Sequence, residues 1–293
     1  MFEVIIFQIV SGLSEGMVVF LCAMGMTLIL GSLKVLNIAH GSIYMLGAYL
    51  GVMISNLLTG IPGHFYLGIV LSTILCALFG GLVEILVIRP IYKLNEIYQF
   101  VTTYGVTFIM MDVTKIIWGG APQTVNQPAY LQGPVSLSGI LLPKYNLALI
   151  IFGIAVFVAM HLFINRSRFG LIIRGVTVDR LVMSIFGTNV PQTYTLVFMI
   201  GCGLAGLGGA IIAPLSAVSP GIDFSVLVKA FIVIIVGGFG SLNGAFLASV
   251  IVGLTNACGI LFAPKVALGF PFFIMLVVLI VRPWGLLGKP IRE

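Results

Sequence analysis

Charge is scarce in this chain. Its 293 residues include 14 Lys and Arg and 8 Asp and Glu, only 8% charged, while 60% are hydrophobic. A water-soluble domain carries about 25% charged residues, so the shortage excludes a fold whose solvent is water. Chemistry is also missing. There is no GxxxxGK[ST] phosphate loop, no HExxH, and no Ser/His/Asp grouping, so the chain shows neither an ATPase nor a protease signature and offers no catalytic residue. The four cysteines, Cys22, Cys76, Cys202 and Cys258, lie inside apolar blocks without metal-ligand spacing. They read as small packing residues, and no metal site is expected. Tryptophan is nearly absent, with two residues. The alternating apolar–polar strands of an outer-membrane barrel are missing too.

What is present is continuous apolar sequence, with mean hydropathy +1.23. Blocks of roughly 20 residues match a bilayer-crossing helix, and hydrocarbon leaves the backbone no partner but itself. The fold class is therefore an all-α polytopic membrane protein. Spans are expected near 5–30, 41–59, 66–88, 100–118, 146–164, 191–213, 226–238, 242–262 and 267–281. The seventh and ninth are short enough to be tilted, broken or re-entrant, so the count is eight or nine. The start of the chain lacks the basic segment of a signal peptide, and the first block is expected to remain as a span. Residues 1–293 read as a single transmembrane domain.

The net charge of +6 sits in short loops, a topogenic pattern rather than a nucleic-acid one. If the loop at 165–190 is cytoplasmic, alternation places Lys34, Arg89, Lys93, Arg166, Arg168, Arg174, Arg180, Arg282, Lys289 and Arg292 inside. Lys115, Lys144, Lys229 and Lys265 fall outside. Nine spans then put the N-terminus outside and the C-terminus in the cytoplasm. Loop 119–145, rich in Pro, Gly, Gln and Ser, lies outside. It is expected to cap that face with irregular or short extended structure, as a docking surface or a plain connector.

Loop 165–190 is the one sizeable charged loop, where a cytosolic machine would push. Gly170 is expected to break the fifth helix. Thr177 reads as the cap of a short helix with Asp179 in its first turn. Leu181, Val182, Ile185 and Phe186 form its apolar stripe, and Gly187 stops it. A helix lying on lipid headgroups fits the same pattern.

Glycine is plentiful, 36 residues. Gly12/Gly16, Gly47/Gly51 and Gly240/Gly244 have the spacing that lets helices approach closely in lipid. The run Gly237, Gly238, Gly240, Gly244 is too glycine-dense for a helix centre and reads as a turn or break at membrane depth. No duplicate of the first half is visible in the second.

Ionisable residues at membrane depth are functional candidates. Glu15 sits mid-span with no basic residue within a turn, and is expected to face the interior. Asp112 either has a transport role or pairs with Lys115 at i,i+3. Asn37 and His40 mark the start of the second span, as path residues or as structural ones. Glu84 lies one turn inside a span end and can meet Arg89 or a headgroup. One reading of Glu15 and Asp112 is a self-contained ion-coupled carrier or channel.

The stretch Leu36-Asn-Ile-Ala-His-Gly-Ser-Ile-Tyr-Met-Leu-Gly-Ala-Tyr49 resembles the signature of branched-chain amino acid ABC importer permeases, specifically the LivH type. Glu84–Pro90, Arg168–Gly187, Lys229–Ala245 and Arg282–Gly288 extend the resemblance over nearly the whole chain. It implies a permease subunit in the bacterial cytoplasmic (inner) membrane. The implied partners are a LivM-like sister permease, two cytosolic ATP-binding subunits and an extracytoplasmic substrate-binding protein. ATP and Mg would then belong to the partners, with no cofactor in this chain. Arg168, Gly170, Arg174, Asp179, Arg180 and Gly187 would belong to the segment coupled to an ATPase. The substrate class implied is a hydrophobic amino acid or a related small metabolite, since similar permeases handle urea, short amides and aromatic acids. Two places depart from the family pattern: Glu15, where relatives commonly carry an uncharged residue, and Thr177–Met183, less acidic than the usual coupling segment.

Overall fold

The first helix sets the frame. α1 (Phe2–Leu33) has 32 residues and so is about 48 Å long at 1.5 Å per residue, enough to cross a hydrocarbon core of roughly 30 Å with room at both ends. Its second half is almost wholly buried, because the other helices wrap it. This is a computed structural model, and it describes residues 2–137 and 139–288. Lys289 and Arg292, both placed inside by the charge argument, lie outside the described residues.

Every apolar block is a helix. After α1 come α2 (His40–Leu57), α3 (His64–Val83), α4 (Glu96–Trp118), α5 (Lys144–Arg166), α6 (Arg168–Val178), α7 (Arg180–Ile185), α8 (Val190–Ile212), α9 (Ile222–Gly237), α10 (Leu242–Phe262) and α11 (Phe270–Val281). Among the described residues seven spans are long and apolar enough to cross a bilayer, the last being α11 together with the 3-10 turn Pro264–Gly269 that leads into it. The exceptions among the nine apolar blocks are α2 and α9, and their geometry explains why. His40 Nε2 lies 3.1 Å from the carbonyl oxygen of Cys22, eleven residues before the end of α1. The second helix therefore begins about 17 Å inside that end. α9 has 16 residues, and its first turn meets the start of α2, where Ser42 Oγ donates to Asp223 Oδ2 at 3.2 Å. Two shorter helices, of 18 and 16 residues, thus start inside the bundle and run to opposite ends. α2 tolerates its polar start because thirteen of its eighteen residues are buried in protein.

Segments 34–39 and 213–221, which lead into these helices, are irregular backbone at depth. Such backbone survives only where protein covers its polar groups. Thr103 Oγ1 donates to the Leu36 carbonyl at 3.5 Å, Gln127 Nε2 to that of Pro214 at 3.4 Å, and Gln123 and Val218 exchange both backbone bonds at 2.8 Å.

The packing is an inverted repeat that the sequence hides. α3 lies on α8 as α10 lies on α1; α2 lies on α8 as α9 lies on α1; α4 flanks α2 as α11 flanks α9. Small residues permit the contacts. A side chain on Gly209 of α8 would collide with the Tyr44 carbonyl of α2, so the two backbones touch only because nothing larger stands there. Phe20, Leu21, Met24, Ile29, Tyr44, Tyr49 and Phe198 fill the core around this crossing.

The ends of the bundle differ in charge. The cavity lined by Lys34, Arg174, Gly240 and Leu287 places the ends of α1, α6 and the α9–α10 turn on one side. Arg89 joins that side through Thr195 at the start of α8. The other end carries the hairpin β1 (Pro134–Leu137) and β2 (Ile140–Pro143), paired antiparallel with Val135 opposite Leu142. Loop 119–145 covers the 213–221 segment there through Gln123 and Gln127.

Three local expectations need correction. Lys229, counted as an outer loop residue, sits in the middle of α9. The short helix after α5 is two helices, α6 and α7, because Ser167 starts a helix at once by accepting from Gly170 N at 2.9 Å. The break therefore falls at Ser167 rather than at Gly170, and Gly170 packs against the carbonyls of Phe163 and Ile164. Asp179, not Thr177, is the cap of α7: its Oδ1 accepts from Leu181 N and Val182 N at 2.8 and 3.1 Å. Thr177 lies within α6 and bonds back to the Ile173 carbonyl at 2.8 Å.

Candidate functional site

Within the 165–190 loop, α6 is anchored and α7 is not. Ile173 of α6 is buried with Leu28, Ile164 and Val197, and Val176 is buried too. Arg174 Nη1 donates to the Ile164 carbonyl at 2.6 Å and to Asn165 Oδ1 at 3.2 Å, so its charge satisfies the C-terminal carbonyls of α5. Arg174, Gly170 and Asp179 are thus shaping residues. The outward surface is Val178, Arg180, Leu181, Ile185 and Phe186; Ile185 and Phe186 are 75% and 79% exposed. Arg168 is exposed at the start of α6. Gly187, at φ +81°, closes α7. Packed α6 gives this exposed apolar elbow a rigid link to α1, α5 and α8.

The glycine run lies beside it. Gly237 packs on Gly244 backbone to backbone, and Gly240 lies against Gly31 near the end of α1. The turn therefore sits at the basic end of the bundle. Gly238, at φ +99°, adopts a conformation that other residues resist. The chain end covers it: Leu286 N and Leu287 N donate to the carbonyls of Val236 and Gly237 at 2.8 and 3.1 Å. These bonds satisfy the last carbonyls of α9.

The four path candidates occupy three separate places. Asn37 and His40 are fully buried at the start of α2. Asp112 is 69% exposed on α4 and lies 3.9 Å from Lys115. Glu15 faces inward from α1, as its isolation in sequence suggests, and meets Lys229 Nζ of α9 at 2.5 Å. Asn256 Nδ2 of α10 donates to both oxygens of the same carboxylate at 3.2 and 3.0 Å. Two of these partners were not singled out from the sequence. Lys229 carried a signal, a lone cation inside an apolar block, but loop counting placed it in water. Asn256 carried none.

Asp223 was also missed. It is 3% exposed and stands in the first turn of α9 against the start of α2. Two helix N-termini favour a negative charge between them, and the chain supplies that charge itself. Glu84 fills a different role. It is fully buried and accepts from Arg89 Nη2 at 2.9 Å, Tyr92 Oη at 2.7 Å and Thr195 Oγ1 at 2.8 Å. This ties the end of α3 to the start of α8, beside a five-residue π-helical turn at Glu84–Ile88.

Residues 8–279 match the profile of a family described as branched-chain amino acid transport system, permease component. The chain is 27% identical to the high-affinity branched-chain amino acid transport system permease protein BraD of Pseudomonas aeruginosa, over 97% of this chain and 95% of that one. It is 26% identical to the permease protein LivH of Escherichia coli, again over 97% and 95%. A probable LivH of Methanocaldococcus jannaschii is 22% identical over 94% of this chain and 91% of its own. No solved structure matches.

Proposed function

Because the chain belongs to the permease-component family of branched-chain amino acid transport systems, we propose that it forms half of the membrane channel of an ATP-driven importer for branched-chain or similar hydrophobic amino acids. The observation that carries the mechanism is the exposed apolar elbow at α7, held on a packed α6. Exposed Leu181, Ile185 and Phe186 form a surface that a cytosolic ATPase groove would cover. Closure of two ATPases would move α7, and α6 would pass the displacement to α1, α5 and α8. Differential binding of the ATPases to the two states of the bundle shifts its equilibrium between outward- and inward-open forms. ATP and Mg act on the ATPases alone.

The lysine and arginine distribution supports a cytoplasmic α6–α7 end, in a bacterial cytoplasmic membrane. The opposite end, with the β1–β2 hairpin, faces a substrate-binding protein. A LivM-like sister permease completes the channel. The cavity of about 370 Å³ at that end, lined by Asn56, His64, Gln127 and also by Phe65, Tyr66 and Tyr130, lies where such a binding protein would release its cargo.

The test is uptake of labelled leucine by cells that express the full set of components and no other leucine system. Replacing the phosphate-loop lysine of the partner ATPases is expected to abolish uptake. Uptake that persists would instead support the self-contained carrier reading of Glu15 and Asp112.

A further inference from the structure

The acids of two of the ion pairs differ in access. Glu84 is shut in at 0% side-chain exposure, with its Arg89 partner 36% exposed. The Glu15 and Lys229 side chains are 35% and 30% exposed, although both stand on central helices. Uncompensated charge facing hydrocarbon is costly, so intramembrane ionisable groups face protein or a water-filled space. The exposed side of this pair therefore suits contact with water or with a partner chain rather than with lipid.

The pair is also asymmetric in freedom. Asn256 holds both carboxylate oxygens of Glu15, which fixes the acid. Lys229 makes a single side-chain hydrogen bond among the described residues, to Glu15. An ammonium carries three donors on a flexible stem, so Lys229 can turn toward a second carboxylate without leaving the site.

We infer that Glu15 and Lys229 form a transit site for the charged head of a zwitterionic α-amino acid. The substrate carboxylate binds the Lys229 ammonium, and the substrate ammonium binds the Glu15 carboxylate. One internal pair is exchanged for two intermolecular ones, the net charge is unchanged, and no proton need move. Urea and simple amides carry neither formal charge and cannot make this exchange. The inference rests on the import reading above and adds to it the residues that handle the charged head of the amino acid.

The experiment is initial-rate uptake of labelled leucine by cells expressing the complete transporter, with the amount of assembled complex in the membrane measured in parallel. Glu15→Gln and Lys229→Met are each expected to lower the rate by roughly tenfold or more per assembled complex, the scale of a lost charged contact. The double variant Glu15→Gln/Lys229→Met is the deciding one. A merely structural pair tolerates removal of both charges together, because no lone charge is left; a transit site does not. Should the neutral variants fail to assemble, Glu15→Asp keeps the charge and shortens its reach, and it is expected to slow leucine uptake with assembly intact. Leucine uptake at the wild-type rate by the double variant or by assembled Glu15→Asp overturns the inference and leaves the import reading standing. Uptake of urea or acetamide in place of leucine by the unaltered transporter overturns both.

Discussion

A carboxylate one turn from a helix end and a carboxylate in mid-helix look alike in sequence, yet the structure gives them different work. Glu84 has its cation five positions away, in Arg89. The local pairing was legible, because a side chain near a span end has few partners to choose from. Thr195, 111 positions on, was not. Glu15 offered only its isolation, since Lys229 lies 214 positions away on a helix that the repeat folds back against α1. Glu84→Ala is expected to leave the Arg89 guanidinium, itself 36% exposed, without its main partner and to cost about 1–3 kcal/mol, the scale of a lost hydrogen bond to a charged group. The detergent-solubilised complex should then melt at a clearly lower temperature. An unchanged melting temperature would show that α3 and α8 are held together without this latch.

At the scale of elements, the apolar blocks gave away every spanning helix, while the turns between them were only half legible. The α7 stripe was readable because four apolar residues at helical spacing in a charged loop have no other explanation. The position of its start was not. Thr177 and Asp179 are both good caps, and the choice depends on where the backbone becomes extended, which occurs at Asp179 (φ −150°, ψ 106°). The glycine run was legible as a helix stop, but its depth depends on where α9 begins, which only the contact with Ser42 fixes. Replacing Ile185 or Phe186 by Asp places a charge in a surface that needs to be dry when covered. Such variants are expected to insert and to pair with the sister permease, but to lose most ATPase binding in copurification from membranes, with uptake falling alongside. Asp179→Ala removes a cap of about 1 kcal/mol and should weaken ATPase binding by a few-fold. Full retention of the ATPases by Phe186→Asp would place the coupling contact elsewhere.

For the whole molecule, two organising features act together: an inverted repeat and an excess of basic residues at one end. The repeat relates α1–α4 to α8–α11 in opposite directions, with α5–α7 as the connecting segment. It escapes sequence comparison because what repeats is the pattern of close helix crossings, built from glycines on α1 and α8 and small partners such as Ser72, Cys76 and Ser249 on α3 and α10. A symmetric scaffold of this kind has no inherent inside. Orientation must come from its asymmetric decoration, and the long connecting segment α5–α7 carries most of the arginines. Accessibility labelling tests this directly. Cys22, Cys76 and Cys202 are buried, whereas Cys258 is exposed, so the background needs Cys258→Ala. In that background Gln132→Cys, in the loop at the β-hairpin end, is expected to react with an impermeant maleimide added to intact cells. Arg180→Cys should react only after the membrane is opened. The reverse pattern would invert the molecule, place α7 on the side without ATP, and remove the basis for coupling at that elbow.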